Sequence, residues 1–247
     1  DKNCKNCKIT IIDSYAYCVS KKTEDYLWDM YKKSSNKLDI IYVSISDFKL
    51  DKEYDYFVNF AAESHVENSL NDPIPFAYNV VSTTNLLKYL KEKQPNLKKY
   101  IGFNTDEVFG PAPEGIYHTE DFKFKPSNPY SASKGGQWCM EYAFFKSFQM
   151  PIVMVHSMNI YGERQHPEKF IPMTIKKVLN NETITIHGTR GGELSSRCWI
   201  HAREVCNGLI HLTKVGVVGE SYNIVGEEKD VLDIANRIAV AVTMKPL

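Results

Sequence analysis

The stretch Lys99-Tyr100-Ile101-Gly102-Phe103-Asn104-Thr105-Asp106-Glu107 decides the fold. Its first six residues are mostly apolar or aromatic and read as a buried strand. The polar triplet Thr105-Asp106-Glu107 follows at once, at the carboxyl end of that strand, where open α/β sheets bind their ligands. Outward in both directions the pattern changes to helical spacing. Pro75 to Lys93 carries Phe76, Val80, Leu86, Leu87 and Leu90, and Ser131 to Phe148 carries Trp138, Tyr142 and Phe145. Further strand candidates are Lys8 to Asp13, Ile40 to Val43, Tyr56 to Ala61, Ile152 to His156 and Thr183 to His187. Short strands alternating with longer amphipathic segments predict an α/β architecture with parallel strands joined by helical crossovers. No internal repeat interrupts the alternation. Glu163 to Leu194 is rich in turn residues and predicts the start of a smaller lobe, so the expected division is 1–162 and 163–247.

Bulk properties exclude several roles. Thirty Lys plus Arg balance thirty Asp plus Glu, so no global field recruits nucleic acid or an anionic membrane. Apolar runs such as Pro151 to Val155 fall far short of the ~20 residues that span a bilayer, and no basic-then-apolar leader opens the chain. A cytoplasmic protein is the expectation. Cys4 and Cys7 form a CxxC, but no second pair completes a four-ligand metal site, and the surroundings are rich in Lys and Asn. No metal or redox role is expected there, and Cys18, Cys139, Cys198 and Cys206 read as reduced filler.

All 13 glycines lie at or after Gly102. A dinucleotide-binding fold places a G-x-G-x-x-G turn after its first strand, with an acid for the adenine ribose ~20 residues on. Asp13 ends a strand as that acid does, yet only twelve residues precede it. The expectation is that the sequence begins one strand and one helix late.

Tyr130 and Lys134, in Asn128-Pro129-Tyr130-Ser131-Ala132-Ser133-Lys134, share one helical face through their spacing of four. A Lys ammonium beside a phenol favours the phenolate, which predicts a Tyr130 proton affinity lowered toward neutral pH. The adjacent acids Asp106 and Glu107 suit an elimination, which needs an acid for the leaving hydroxyl and a base for the neighbouring proton. Like-charge proximity and burial are expected to hold one of them protonated. Adjacent acids elsewhere serve as solvated turns or helix caps.

Three segments bring a resemblance into view: Phe60-Ala61-Ala62-Glu63-Ser64-His65-Val66, Thr105-Asp106-Glu107-Val108-Phe109-Gly110 and Asn128 to Lys134. Downstream, Asn159-Ile160-Tyr161-Gly162, Arg164 to Pro172, Ser196-Arg197 and Ser221-Tyr222-Asn223-Ile224 continue it. In this order they resemble the nucleotide-sugar 4,6-dehydratases of the extended short-chain dehydrogenase/reductase group, those acting on dTDP-glucose or UDP-glucose above all. The resemblance implies a Rossmann-like doubly wound parallel sheet with a smaller C-terminal substrate lobe. It implies NAD as cofactor, held by Asp13, Ala61, Ala62, Tyr130 and Lys134, and a nucleoside-diphosphate sugar as substrate. It implies that Tyr130, assisted by Thr105 and Lys134, deprotonates the carbon 4 hydroxyl while hydride leaves carbon 4. Asp106 then protonates the hydroxyl leaving carbon 6, Glu107 takes the carbon 5 proton, and hydride returns to carbon 6. His65, Asn159, Lys169 and Arg197 are the implied substrate contacts, Arg197 as the fork for the diphosphate. Asn79 reads as a capping or packing residue. The apolar faces of the two long helices imply a homodimer.

Departures from the family pattern are Cys198, where an acid usually follows Arg197, Glu163 in place of a proline, and a short Ser44 to Tyr56 segment with little room for a crossover helix. Two competing expectations stand beside the dehydratase: an epimerase or decarboxylase of the same fold, and a degenerate member that binds sugar nucleotides without turnover. The Asp106-Glu107 pair separates the first from a dehydratase, and NAD binding excludes the second.

Overall fold

The computed structural model describes residues 7–15, 20–34, 36–50, 52–113, 115–186, 194 and 196–246. The elements run β1 (Lys8–Asp13), α1 (Lys21–Lys32), β2 (Lys37–Tyr42), β3 (Tyr56–Asn59), α2 (Val66–Asn71), α3 (Ile74–Lys93) and β4 (Lys99–Thr105). A one-turn 3-10 helix (Asp106–Phe109) follows, then α4 (Pro129–Phe148), β5 (Ile152–Ser157), β6 (Asn159–Tyr161) and α5 (Phe170–Leu179). The chain closes with β7 (Ser196–His201), α6 (Ala202–Val215), β8 (Ser221–Ile224), β9 (Glu227–Asp230) and α7 (Val231–Thr243).

Two compact units divide the chain: Asp1–Ser157 with Asn207–Ile224, and Met158–Cys206 with Val225–Leu247. The first is a Rossmann-like α/β unit. Its strands are all parallel, in a four-stranded sheet ordered β3-β4-β5-β8 and a two-stranded sheet of β1 and β2. Strand β4 is buried along nearly its whole length and β5 completely, as parallel strands covered on both faces must be. Leu86, Leu87 and Leu90 of α3 and Phe144 of α4 join Tyr100, Ile152 and Met154 of these strands in the core. Lys99 enters that interior because its Nζ donates to the Leu212 and Thr213 carbonyls near the end of α6, each at 3.0 Å.

Helix α4 starts where the sequence provides both devices for starting one. Asn128 Oδ1 accepts from Ser131 N at 2.8 Å, Ser131 answers on the Asn128 backbone, and Pro129 occupies the first turn, where no amide donor is needed. It ends at Gln149, whose φ of 56° turns the chain toward β5.

The second unit holds a three-stranded sheet in which β7 runs parallel to β6 and antiparallel to β9. Helix α7 starts at Asp230, whose Oδ1 accepts from Asp233 N at 2.6 Å, and packs on α5.

Several expectations change. Thr183 to Ile186 forms no strand, and His187 lies outside the described residues. Its alternating threonines and isoleucines match a strand, but among the described residues no strand pairs with it, and the pattern alone cannot supply hydrogen bonds. Conversely β9, Glu227-Glu228-Lys229-Asp230, has no apolar alternation and forms because β7 pairs with it. Cys7 is disulfide-bonded, a covalent link that the polar CxxC segment does not announce, while Cys139 and Cys206 are exposed thiols. Among the described residues no helix is long and apolar enough to cross a membrane, and no cluster of three or more His, Cys, Asp and Glu forms a metal site.

Candidate active site

The core of the site lies where β4 ends. Thr105, nearly buried, caps the 3-10 helix: its Oγ1 accepts from Glu107 N at 3.3 Å and lies 3.3 Å from Asp106 Oδ1. The triplet therefore leaves the strand as a single turn, with Val108 and Phe109 anchored in the core and both acids half-buried. Gly110 ends the turn at φ 78°, its Cα close against the Lys125 carbonyl, so a side chain is excluded on both counts. Asn128, the cap of α4, also donates from Nδ2 to Glu107 Oε2 at 3.2 Å. One side chain thus ties the acid pair to the helix that carries Tyr130 and Lys134.

Tyr130 and Lys134 occupy the first two turns of α4, and Lys134 is 5% exposed. The Lys134 ammonium donates to the Phe103 carbonyl of β4 at 2.8 Å. Burial pushes the Tyr130 phenol above its ordinary range; the Glu107 charge adds to this, Thr105 opposes it by hydrogen bonding, and Asp106 raises it further. The expected lowering by Lys134 is therefore not what this chain imposes on Tyr130 by itself. Low-dielectric surroundings and two carboxylates disfavour the phenolate, while Lys134 is engaged with a backbone carbonyl.

The segment after β3 is held beside α4 by Asn79. This buried α3 residue accepts from Glu63 N at 2.8 Å, donates to Glu63 O at 3.0 Å and donates to Ser133 Oγ at 2.9 Å. Ala61 N donates to Asn59 Oδ1 at 3.1 Å, so Ala61 and Ala62 leave the strand end in a fixed path. His65 caps α2, its Nδ1 accepting from Asn68 N at 3.3 Å, a structural task absent from its sequence reading.

Asp13 ends β1, and its Oδ1 accepts from Tyr15 N at 2.7 Å. Sequence reasoning passed over the aromatic hollow next to it, formed by Tyr15, Glu24 and Tyr42. The two rings meet edge to face at 5.1 Å, Tyr15 Oη donates to Glu24 Oε2 at 2.6 Å, and Tyr42 donates to the other oxygen. The signal was present only as tyrosines near two strand ends, indistinguishable from the chain's other thirteen.

In the second unit Asn159 Nδ2 donates to Cys198 O at 3.4 Å, across the β6–β7 pair. Lys169 precedes α5 as its cap residue, with its N–H donating to His166 O at 3.0 Å. Arg197 is exposed on β7, where its Nη1 donates to Ser196 O at 2.8 Å.

An NAD molecule finds fitting groups at two of its parts: Asp13 beside the aromatic hollow for an adenosine, and the buried Lys134 with Tyr130 for a nicotinamide ribose. No glycine-rich turn for its pyrophosphate occurs among the described residues before Gly102.

Comparison with known proteins places the chain in a family and a fold. The family described as GDP-mannose 4,6 dehydratase matches residues 5–245. A dTDP-D-glucose 4,6-dehydratase of Dictyostelium discoideum is 32% identical over 255 residues, which cover 96% of this chain and 56% of the relative. The chain spans about half the length of the curated relatives it matches. Among solved structures, a dTDP-glucose 4,6-dehydratase of Streptomyces venezuelae with NAD bound is similar, with a TM-score of 0.83 and 25% identity over 96% of this chain and 72% of that one. A UDP-glucuronic acid 4-epimerase of Bacillus cereus, in complex with UDP-glucuronic acid and NAD, shares the fold at a TM-score of 0.84 and 23% identity, covering 96% and 76%.

Proposed function

The chain belongs to the GDP-mannose 4,6 dehydratase family of extended short-chain dehydrogenase/reductases, and from that premise we propose that it serves the NAD-dependent 4,6-dehydration of a nucleoside-diphosphate hexose. The substrate in this reading is dTDP-glucose or UDP-glucose, and the product a 4-keto-6-deoxy sugar. One observation carries it: Asp106 and Glu107 sit on a single turn at the carboxyl end of β4, tied through Asn128 to the first turn of the helix that bears Tyr130 and Lys134.

The division of work follows from the chemistry. Tyr130 receives the proton of the carbon 4 hydroxyl, with Thr105 bonded to its phenol and Lys134 supplying positive charge close by. Burial and the two acids disfavour the phenolate in the chain by itself, so Tyr130 takes that proton only after giving up its own, the state that the Lys134 charge favours. Asp106 delivers a proton to the hydroxyl leaving carbon 6, and Glu107 removes the carbon 5 proton, its orientation set by Asn128 Nδ2. NAD, when bound, accepts a hydride and gives it back within one turnover. Asp13 would hold its adenine ribose, and Ala61 and Ala62 would line its path without bulk. His65, Asn159, Lys169 and Arg197 are the proposed contacts to the sugar nucleotide.

Full-length protein incubated with NAD and either dTDP-glucose or UDP-glucose is expected to give a 4-keto-6-deoxy product; its absence with both rejects the assignment. Glu107→Gln is expected to lose elimination by about 10²- to 10⁴-fold, the usual size of one acid–base group. A 4-epimerase would keep its turnover through that change. A homodimer belongs to the same proposal, supported by the stripe Ile74, Tyr78 and Val81 on α3, which are 66%, 64% and 50% exposed at helical spacing. Light scattering of the full-length protein tests it.

A further inference from the structure

Seven residues beyond Lys134, two turns along the same face of α4, stands Glu141. It is 1% exposed. Its Oε1 accepts from Tyr100 Oη at 3.1 Å and its Oε2 from Asn104 Nδ2 at 3.0 Å, both donors belonging to β4. Strand β4 gives up a side chain to admit it. A Cβ on Gly102 would lie 2.1 to 2.2 Å from the Glu141 carboxyl carbon and oxygens. A carboxyl group taken into a parallel-sheet core, with a glycine under it and two donors on it, is a built site and not a stray polar residue.

Two buried cations share this interior: Lys99, held by the Leu212 and Thr213 carbonyls near the end of α6, and Lys134, whose hydrogen bond to Phe103 O leaves its charge uncompensated, since a carbonyl carries none. Burial lowers the Lys134 proton affinity and Glu141 raises it; burial likewise raises that of Glu141, and Lys134 with the two β4 donors opposes the rise. Other charged groups act elsewhere. Glu107 and Asp106 act on Tyr130, and His156 of β5 feels Lys134 but is held neutral by its own burial. Helices α2 and α3, which pack on α4, keep Glu67, Lys88, Lys91, Glu92 and Lys93 exposed, where water screens them.

We propose that Glu141 is a positioning residue, the buried counter-ion that keeps Lys134 an ammonium beneath the reaction centre. The inference rests on the reading of Tyr130 and Lys134 as the proton-transfer pair. Lys134 can favour a phenolate on Tyr130 only while it carries charge, and an isolated ammonium in this core would shed its proton. Glu141 never meets the substrate; it acts through Lys134.

The test titrates Lys134 in full-length protein. Acylation of the amine is measured against pH, with mass spectrometry reading the Lys134 peptide, for the natural protein and for Glu141→Gln, which keeps the shape and loses the charge. The midpoint is expected to fall by about one on the pH scale in Glu141→Gln, a roughly tenfold loss of ammonium at a given pH above it. Glu141→Asp is expected to restore part of it. An unchanged midpoint overturns the proposal, even in an active enzyme. A lowered midpoint supports it whether or not elimination is detected, and absence of elimination then counts against the proposed reaction alone. Should Glu141→Gln not fold, Lys134→Met gives the reciprocal reading: the Glu141 carboxyl, followed by its infrared band, is expected to stay protonated to higher pH, and an unmoved band overturns the proposal.

Discussion

Replacing Gly102 by alanine is a small change with a large expected cost. The added Cβ would stand 2.1 to 2.2 Å from three atoms of the Glu141 carboxyl group, well inside van der Waals contact. The carboxyl group cannot withdraw into water, because Glu141 is 1% exposed, and moving it breaks its bonds from Tyr100 and Asn104. A hydrogen bond to a charged group contributes about 1.5–3 kcal/mol, so losing both costs about 3–6 kcal/mol before relaxation, and about 3 kcal/mol is expected after it. Against a total stability on the order of 5–15 kcal/mol, that is a severe loss for one methyl group. Urea unfolding followed by Trp138 fluorescence, with Trp28 and Trp199 replaced by phenylalanine, reports on the unit that contains both residues. In a Glu141→Ala background the clash disappears, and Gly102→Ala is expected to cost under about 1 kcal/mol, giving a coupling of about 2 kcal/mol or more. Equal costs in the two backgrounds would refute the reasoning that Gly102 exists to admit Glu141.

Three further outcomes follow from the same geometry. Asn128→Ala removes the α4 cap and the donor on Glu107, and is expected to lower stability by about 1–2 kcal/mol in thermal or urea unfolding. A stability unchanged within a few tenths of a kcal/mol contradicts the capping role. Asn79→Leu strips three hydrogen bonds from a buried position, with an expected loss of about 2–4 kcal/mol and faster amide exchange in residues 60–65; unchanged exchange there would show that Asn79 does not hold that segment. His156 is 1% exposed, and burial between Phe109 and Phe124 lowers its pKa to about 4, with the Glu120 charge and the Asn223 side chain opposing the fall and the Lys134 charge adding to it. The unfolded chain, with an imidazole near 6.5, binds that proton first, so stability is full above about pH 6.5 and falls as pH drops toward 4, by up to about 3 kcal/mol. Comparing unfolding free energies at these pH values for the natural protein and His156→Leu checks it; equal slopes in both would remove His156 as the cause.

What was legible in the sequence was what local periodicity and spacing carry. Strands β1 and β4 begin where their apolar runs begin, and the two long helices match their spacing within two residues at each end. The triplet at the end of β4 and the Tyr130–Lys134 spacing are likewise statements about neighbours along the chain. Strands β6, β7, β8 and β9 were not legible, because strands of three to six residues acquire their hydrogen bonds from a partner distant in sequence. The strand-like alternation at Thr183 to Ile186 misled for the same reason.

Sequence alone determined the class of fold, the place of the Thr105–Glu107 triplet at a strand end and the shared helical face of Tyr130 and Lys134, because these follow from covalent neighbours and helical geometry. Tertiary structure decided their electrostatics. Burial and two carboxylates raise the Tyr130 phenol where spacing had suggested the opposite, Lys134 turns to the Phe103 carbonyl, and Glu141 enters the core opposite a glycine 39 positions away. Charge interactions depend on distance through space and on the exclusion of water, and neither is written in the order of residues.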